Sequence, residues 1–340
     1  MTRRIRRAAK LIGLALLWFL MLCMAAWGVL ALLFFEHANP ALRHALALGF
    51  AAVSLLALIG LMVRRWRART VGAFFAWFAV LLVCWLSTEP SNSRDWLTDS
   101  AILAYATFEG DQVTVHNIRN FDYRTETDYT PGYYDRTFNL SQLDSVDLAA
   151  VYWMGPAIAH VFVSFGFADG HHLAVSIEAR KEKGEGYSTV EGFFRQYELY
   201  YVVADERDVI RLRTNYRHDP PEEVYLFRVK SDAEGRQRFF LDYLRKINAL
   251  KEHAEWYNSL TTNCTSNIWL HSRVNPGHLP YSWKILISGH VPEYLYENDR
   301  LDTKVPLEEL MRRGHVNERA HAADKAEDFS QLIREGQPIP

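Results

Sequence analysis

Three apolar runs crowd the first 88 residues, and they decide what kind of chain this is. Residues 11–35 are uninterruptedly apolar and rich in Leu, Ala, Trp and Phe. About 20 such residues suffice for a helix to cross the hydrocarbon core of a bilayer. A second run covers residues 45–63, and a third covers 70–87 once Thr70 and Ser87 are counted. A cleaved signal peptide is the alternative for the first run. That run is longer than the usual signal core, and no small-x-small cleavage site precedes the next apolar stretch. The reading is three transmembrane helices. Arg3, Arg4, Arg6, Arg7 and Lys10 precede the first, and Arg64, Arg65, Arg67 and Arg69 separate the second from the third. The loop 36–44 carries only Arg43 as a fixed positive charge. The positive-inside rule then puts the N-terminus in the cytoplasm and everything after Leu86 across the membrane. In a Gram-negative cell that means a multi-pass inner-membrane protein with a periplasmic C-terminal domain.

The expected organisation is a membrane anchor over residues 1–88, a membrane-proximal linker over 89–120, and one domain over 121–340, large enough for a single core. The net charge of −2 averages an apolar anchor with a polar domain. No basic block marks a nucleic-acid partner, and no HxxxH or CxxC spacing marks a metal site. Neither metal nor cofactor is expected. Of the three cysteines, Cys23 and Cys84 lie in the apolar runs, which leaves Cys264 as the lone exported thiol with no disulfide partner. A free thiol outside the cytosol is open to oxidation. It is either buried and inert or there for its chemistry.

The flanking sequence "TTNCTSNIW" bears on that choice. Thr261, Thr262 and Asn263 are helix N-cap residues, and Pro276-Gly277 is a stop, so Cys264 falls in the first turn of a short helix. There, unpaired N–H groups lower a thiol's pKa and can hold an oxyanion near Asn263 and Thr265. Asn267, one turn on, and Tyr257 and Asn258 in "EWYN" are candidates for shaping a pocket. Asparagine at helix starts also has an ordinary backbone use.

A nucleophile needs a base, and His160 is the candidate. It stands in the alternating segment "HVFVSFGF", with Ala159, Val161, Val163 and Phe165 on one face and His160, Phe162 and Ser164 on the other. The chain returns as "HHLAVSIEAR", which implies an antiparallel hairpin. A three-residue turn at 168–170 sets His160 opposite Glu178, a carboxylate placed to orient the imidazole. A two-residue turn sets it opposite Ala179 instead. His171 and His172 belong to the hairpin tip, and His271 lies two helical turns from Cys264. The stretch "YELYYVVADERDVIRLRTNYR" reads as two strands joined at residues 205–207, followed by a strand over 222–229. From residue 237 the period becomes helical. Arg207, Arg213 and Arg217 can meet lipid phosphates or form a solvated face. The aromatic stretch 121–140 can dock at a membrane interface or pack in the core. The fold class is α+β, a sheet bearing the base against a helix bearing the thiol. That is a papain-like arrangement in permuted order, His before Cys.

The segments "HVFVSFGF", "YYVVADERDVIRLRTNYR", "WYNSLTTNCTSNI" and "WKILISGHVPEYLYENDRLD" resemble the Lnb N-terminal periplasmic domain family over roughly residues 117–317. The family is named for a lipoprotein N-acyltransferase and resembles the permuted cysteine enzymes of the NlpC and lecithin:retinol acyltransferase type. The resemblance implies Cys264 as nucleophile and His160 as base, with a lipoprotein or peptide amino terminus as acceptor; the three spans, which hold the domain within reach of phospholipid esters, favour a phospholipid acyl donor. With water as acceptor the same thioester chemistry makes a hydrolase. The other readings are an envelope cysteine peptidase or peptidoglycan amidase, and a non-catalytic assembly module.

Overall fold

The computed structural model describes residues 2–35 and 39–338, so part of the first inter-span loop, residues 36–38, lies outside the described residues. The chain divides into two compact units. The first contains α1 (Thr2–Leu33), α2 (Pro40–Gly60) and α3 (Arg67–Leu86), each long and apolar enough to cross a membrane. Asn39 starts α2 by accepting the Leu42 N–H at 2.9 Å, with Pro40 in the first turn. Met21, Leu58, Leu61 and Phe74 pack together among these helices. Gly28 lets them approach closely, because a Cβ there would collide with the Phe50 ring and with Leu81. Residues 188–196 belong to this unit, where Arg195 donates to the carbonyls of Trp85, Leu86 and Thr88 at the end of α3.

The second unit, residues 91–187 and 197–340, is built on ten strands among the described residues. They are β1 (Tyr105–Glu109), β2 (Gln112–Arg119), β3 (Asp122–Tyr123), β4 (Tyr129–Thr130), β5 (Tyr133–Asn139), β6 (Leu143–Tyr152), β7 (Ala159–Phe167), β8 (His172–Arg180), β9 (Glu198–Asp205) and β10 (Glu223–Arg228). Eight of them form one sheet in the order β1-β2-β9-β8-β7-β6-β10, with β5 also paired to β2, and β3 and β4 form a separate ribbon. Pairing in the large sheet is antiparallel except for β2 with β9. The helices are α4 (Glu206–Arg211), α5 (Ala233–Glu252), α6 (Cys264–Ser272), α7 (Trp283–Leu286), α8 (Val291–Glu297), α9 (Leu307–Gly314), α10 (Asn317–Ala322) and α11 (Phe329–Leu332).

Strand alternation sorts the apolar side chains into two cores. Val161, Val163, Phe165 and Val175 face α5, whose Phe240, Tyr243, Leu244 and Ile247 are buried against them, with Cys264 and Ile268 of α6 packed alongside. On the other face Val151, Phe162, Ala174 and Val202 meet Val209 and Ile210 of α4 and Ala320, Phe329 and Ile333 of the C-terminal segment. Arg334 secures that segment. It donates to Asp147 at 2.8 Å and to both oxygens of Glu206 at 2.6 and 2.7 Å, and both carboxylates are fully buried. Arg228 holds the other oxygen of Asp147.

Four expectations are corrected or decided here. The strand expected after residues 205–207 is helical: Asp205 accepts the Arg207 N–H at 2.9 Å, and α4 runs on into a π turn over Leu212–Tyr216. A capping carboxylate and an acidic first turn outweigh alternation over so short a run. The stretch 89–120 is not a free linker, because it contributes β1 and β2. Its earlier residues are tied down by Ser91 N–H to Glu198 (2.9 Å) and by Arg180 to the Ser100 carbonyl (2.9 Å). The aromatic stretch 121–140 does not offer its rings to a membrane at Phe121 and Tyr123, which are buried with Leu212. Finally, α5 begins at Ala233, four residues earlier than its apolar period suggests, because Asp232 accepts the Gly235 N–H at 2.5 Å.

Candidate active site

The β7–β8 hairpin has the three-residue register. Gly166 pairs with His172 and Val163 with Val175, and continuing that count sets His160 opposite Glu178. Their side chains share the face of Phe162 and are linked through a residue that the sequence reading passed over. His160 Nε2 is 2.7 Å from Ser176 Oγ, the Ser176 hydroxyl donates to Glu178 Oε1 at 2.8 Å, and the direct Nε2–Oε1 separation is 3.7 Å. A serine hydroxyl has one proton. Since it goes to Glu178, Ser176 Oγ accepts from His160, which puts the imidazole proton on Nε2 and leaves Nδ1 with the free lone pair.

The charges behind this chain are buried and paired. Arg213 donates to Glu178 at 3.0 Å and to Glu222 at 3.2 Å, and Arg217 donates to Glu222 at 2.8 Å and lies 3.1 Å from Glu126. Burial alone would raise the Glu178 pKa, but Arg213 and His160 hold it far below the carboxylate range. Burial, reinforced by Arg213, lowers the His160 pKa to about 4. The imidazole is therefore neutral at physiological pH and able to accept a proton. Arg213 and Arg217, considered above as phosphate ligands, are instead committed to this network. Only Arg207 is more open, 37% exposed and 4.0 Å from Asp205.

Cys264 is the first residue of α6, as expected. Asn263 caps the helix by accepting the Ser266 N–H at 2.8 Å. The sulfur is half-buried and packs against the apolar cluster that includes Val161, the residue next to His160 on β7. The backbone N–H of Val161 donates toward it, as do those of Thr265 and Cys264. Burial still pushes the thiol pKa above its ordinary value. Among the described residues no hydrogen bond joins His160 to Cys264.

Around the sulfur, Tyr257 and Tyr243 are buried within electrostatic reach of Cys264. Tyr257 meets Tyr187 at 3.4 Å, whereas the Tyr243 hydroxyl is buried without a hydrogen-bond partner among the described residues. A phenol in that condition is a ready donor to an oxyanion. Its apolar spacing in α5 gave the sequence reading no reason to single it out. The remaining candidates are structural. Asn258 accepts the N–H groups of Leu260 and Thr261 at 3.0 and 3.1 Å, Asn267 donates to the Asn263 carbonyl at 3.0 Å, and the Thr265 hydroxyl donates to the Ile285 carbonyl at 2.6 Å. His271 is engaged by Asp242 at 2.7 Å and Tyr201 at 2.8 Å, away from the thiol chemistry.

Neither the curated proteins nor the solved structures include a match to this chain. The match to a known family covers β4 through the residues just before α8, and so takes in His160, Ser176, Glu178, Arg213 and Cys264. Residues 129–289 match the family described as the Lnb N-terminal periplasmic domain, in a chain that also carries three helices long and apolar enough to cross a membrane.

Proposed function

We propose that the domain is a membrane-anchored cysteine acyltransferase that takes an acyl group from a phospholipid and passes it to an amine, such as a lipoprotein amino terminus. The observation that carries this reading is the ordered chain His160–Ser176–Glu178 beside a thiol nested in backbone N–H groups at a helix start. His160 Nδ1 takes the Cys264 proton as sulfur attacks the ester carbonyl, forming the C–S bond. The N–H groups of the α6 start and the Tyr243 hydroxyl stabilise the oxyanion. The C–O bond breaks, His160 returns the proton to the departing lysolipid oxygen, and a thioester remains. An amine then attacks that thioester, giving an amide and restoring the thiol. Anchoring by three spans, with the N-terminus cytoplasmic and the domain periplasmic, would keep the site at the inner-membrane surface where phospholipid is abundant.

The test is intact mass spectrometry of the full chain in detergent after incubation with phospholipid. A fatty-acyl mass addition that hydroxylamine removes, absent in Cys264→Ala and strongly slowed in His160→Ala, is expected. No adduct on an alkylatable Cys264 rejects the lipid donor and directs the search to peptide substrates. A Cys264 that resists alkylation rejects the nucleophile altogether and leaves the assembly-module reading.

A further inference from the structure

A cavity of about 230 Å³ runs alongside α6 between the sheet and α8. Its walls include Leu148, Val161, Phe239, Ile268, Ile285 and Val291. It begins at the nucleophile: Val161 and Thr265, whose N–H groups face the Cys264 sulfur, both line it, and Ile268 is one helical turn beyond the cysteine. A well-packed core leaves few such voids.

The wall formed by α7 is apolar on both sides. Ile285 is buried toward the cavity at 4% exposure, while Trp283, Leu286 and Ile287 face outward at 56, 37 and 38%. The loop between β6 and β7 adjoins this wall. The Gly289 N–H donates to the Ala157 carbonyl at 3.0 Å, and a Cβ at Gly289 would collide with the Pro156 and Ala157 backbone. That loop adds Met154 and Ile158, 71 and 40% exposed. Five large apolar side chains are thus exposed on the outer side of the cavity wall and the loop that adjoins it. Contiguous exposure of this kind marks an interaction surface. The same chain carries three membrane-spanning helices, and tryptophan is enriched where proteins meet the bilayer interface.

We infer that this cavity holds the hydrocarbon chain of the phospholipid donor, and that the surface formed by Met154, Ile158, Trp283, Leu286 and Ile287 is where the domain contacts the bilayer and admits that chain. The inference rests on the acyl-transfer reading. It adds the direction in which the chain lies, from Cys264 along α6, and the element it passes.

The test uses the full chain in vesicles containing phosphatidylethanolamine with a photoreactive diazirine at the end of one acyl chain. Labelled peptides are mapped in the wild type and in Cys264→Ala. Label is expected in α5, α6 and α7 of both, in addition to α1–α3. Ile268→Trp, which fills the cavity, removes the label from α5–α7 and leaves that on α1–α3 unchanged. Trp283→Gln with Leu286→Gln alters only exposed positions and so preserves the fold. It lowers the cavity label by about tenfold, the scale set by two apolar side chains no longer leaving water. Label confined to α1–α3, or cavity label that neither variant diminishes, overturns the inference. A Cys264 adduct without cavity label rejects the cavity and leaves the chemistry standing, whereas cavity label without an adduct does the reverse.

Discussion

Replacing Ser176 with alanine isolates the contribution of the hydroxyl between His160 and Glu178. Ser176 is fully buried and makes hydrogen bonds of 2.7 and 2.8 Å. Without it the Nε2–H faces a carboxylate oxygen 3.7 Å away, beyond hydrogen-bond range. An unpaired buried donor costs about 1–3 kcal/mol, so the ring either shifts roughly 1 Å toward Glu178 or changes tautomer. Either outcome misplaces the Nδ1 lone pair, and a displacement of that size costs on the order of 10²-fold in rate. The assay is the rate of Cys264 alkylation by iodoacetamide near neutral pH, which depends on the base and not on the identity of any acyl donor. We expect Ser176→Ala to react about 100-fold more slowly while unfolding at nearly the wild-type temperature, and Ser176→Thr, which keeps the hydroxyl, to recover much of the rate. An alkylation rate within about twofold of wild type in Ser176→Ala would refute the relay, because the tautomer argument allows no other route to a fixed Nδ1.

Three further outcomes follow from the same geometry. Because burial raises the Cys264 pKa and lowers that of His160 to about 4, the resting pair is neutral. Alkylation of Cys264 should climb steadily from about pH 6 to about pH 9, and a rate plateau on the acid side would reveal an ion pair and contradict this account. The depressed His160 pKa also means that folded protein resists protonation. Its contribution to stability is complete above the unfolded value of about 6.5 and is lost as pH falls through about 4, a loss of about 3 kcal/mol by linkage. Unfolding of the full chain in detergent at pH 7 and pH 4 should show a smaller acid loss in His160→Gln. Arg213→Met removes the cation shared by Glu178 and Glu222. It should destabilise the chain by about 3 kcal/mol, and Glu178→Gln in the same background should return part of that in thermal unfolding.

Some of this site was legible in the sequence because it depends on local rules. The start of α6 follows from "TTNC", and the His160–Glu178 register follows from a three-residue turn at Gly170, where φ is +85°. The alternation of β7 correctly separated His160 from Val161. What local rules could not reveal was that the backbone N–H of Val161, the residue after His160 on β7, donates toward the thiol. Ser176 was visible as a small polar residue opposite Phe162, but its role depends on distances that a register alone does not supply. Arg213 was misplaced on a strand because Val209, Ile210 and Leu212 alternate imperfectly. The buried faces of α4 decide that segment, and those faces exist only once β9 and α10 are in place.

The grip of Arg334 on Asp147 and Glu206 has a consequence for how the protein is made. These carboxylates lie on β6, next to the edge strand β10, and on α4, far ahead of Arg334 in the order of synthesis. Until Arg334 emerges, Glu206 lacks its arginine partner and Asp147 has Arg228 alone, and Phe329 and Ile333 are not yet available to cover Phe162 and Val202. A domain folded without that segment therefore leaves the two carboxylates short of a cation and Phe162 and Val202 uncovered on the His160 side of the sheet, an open, hydrated layer well suited to attack by proteases.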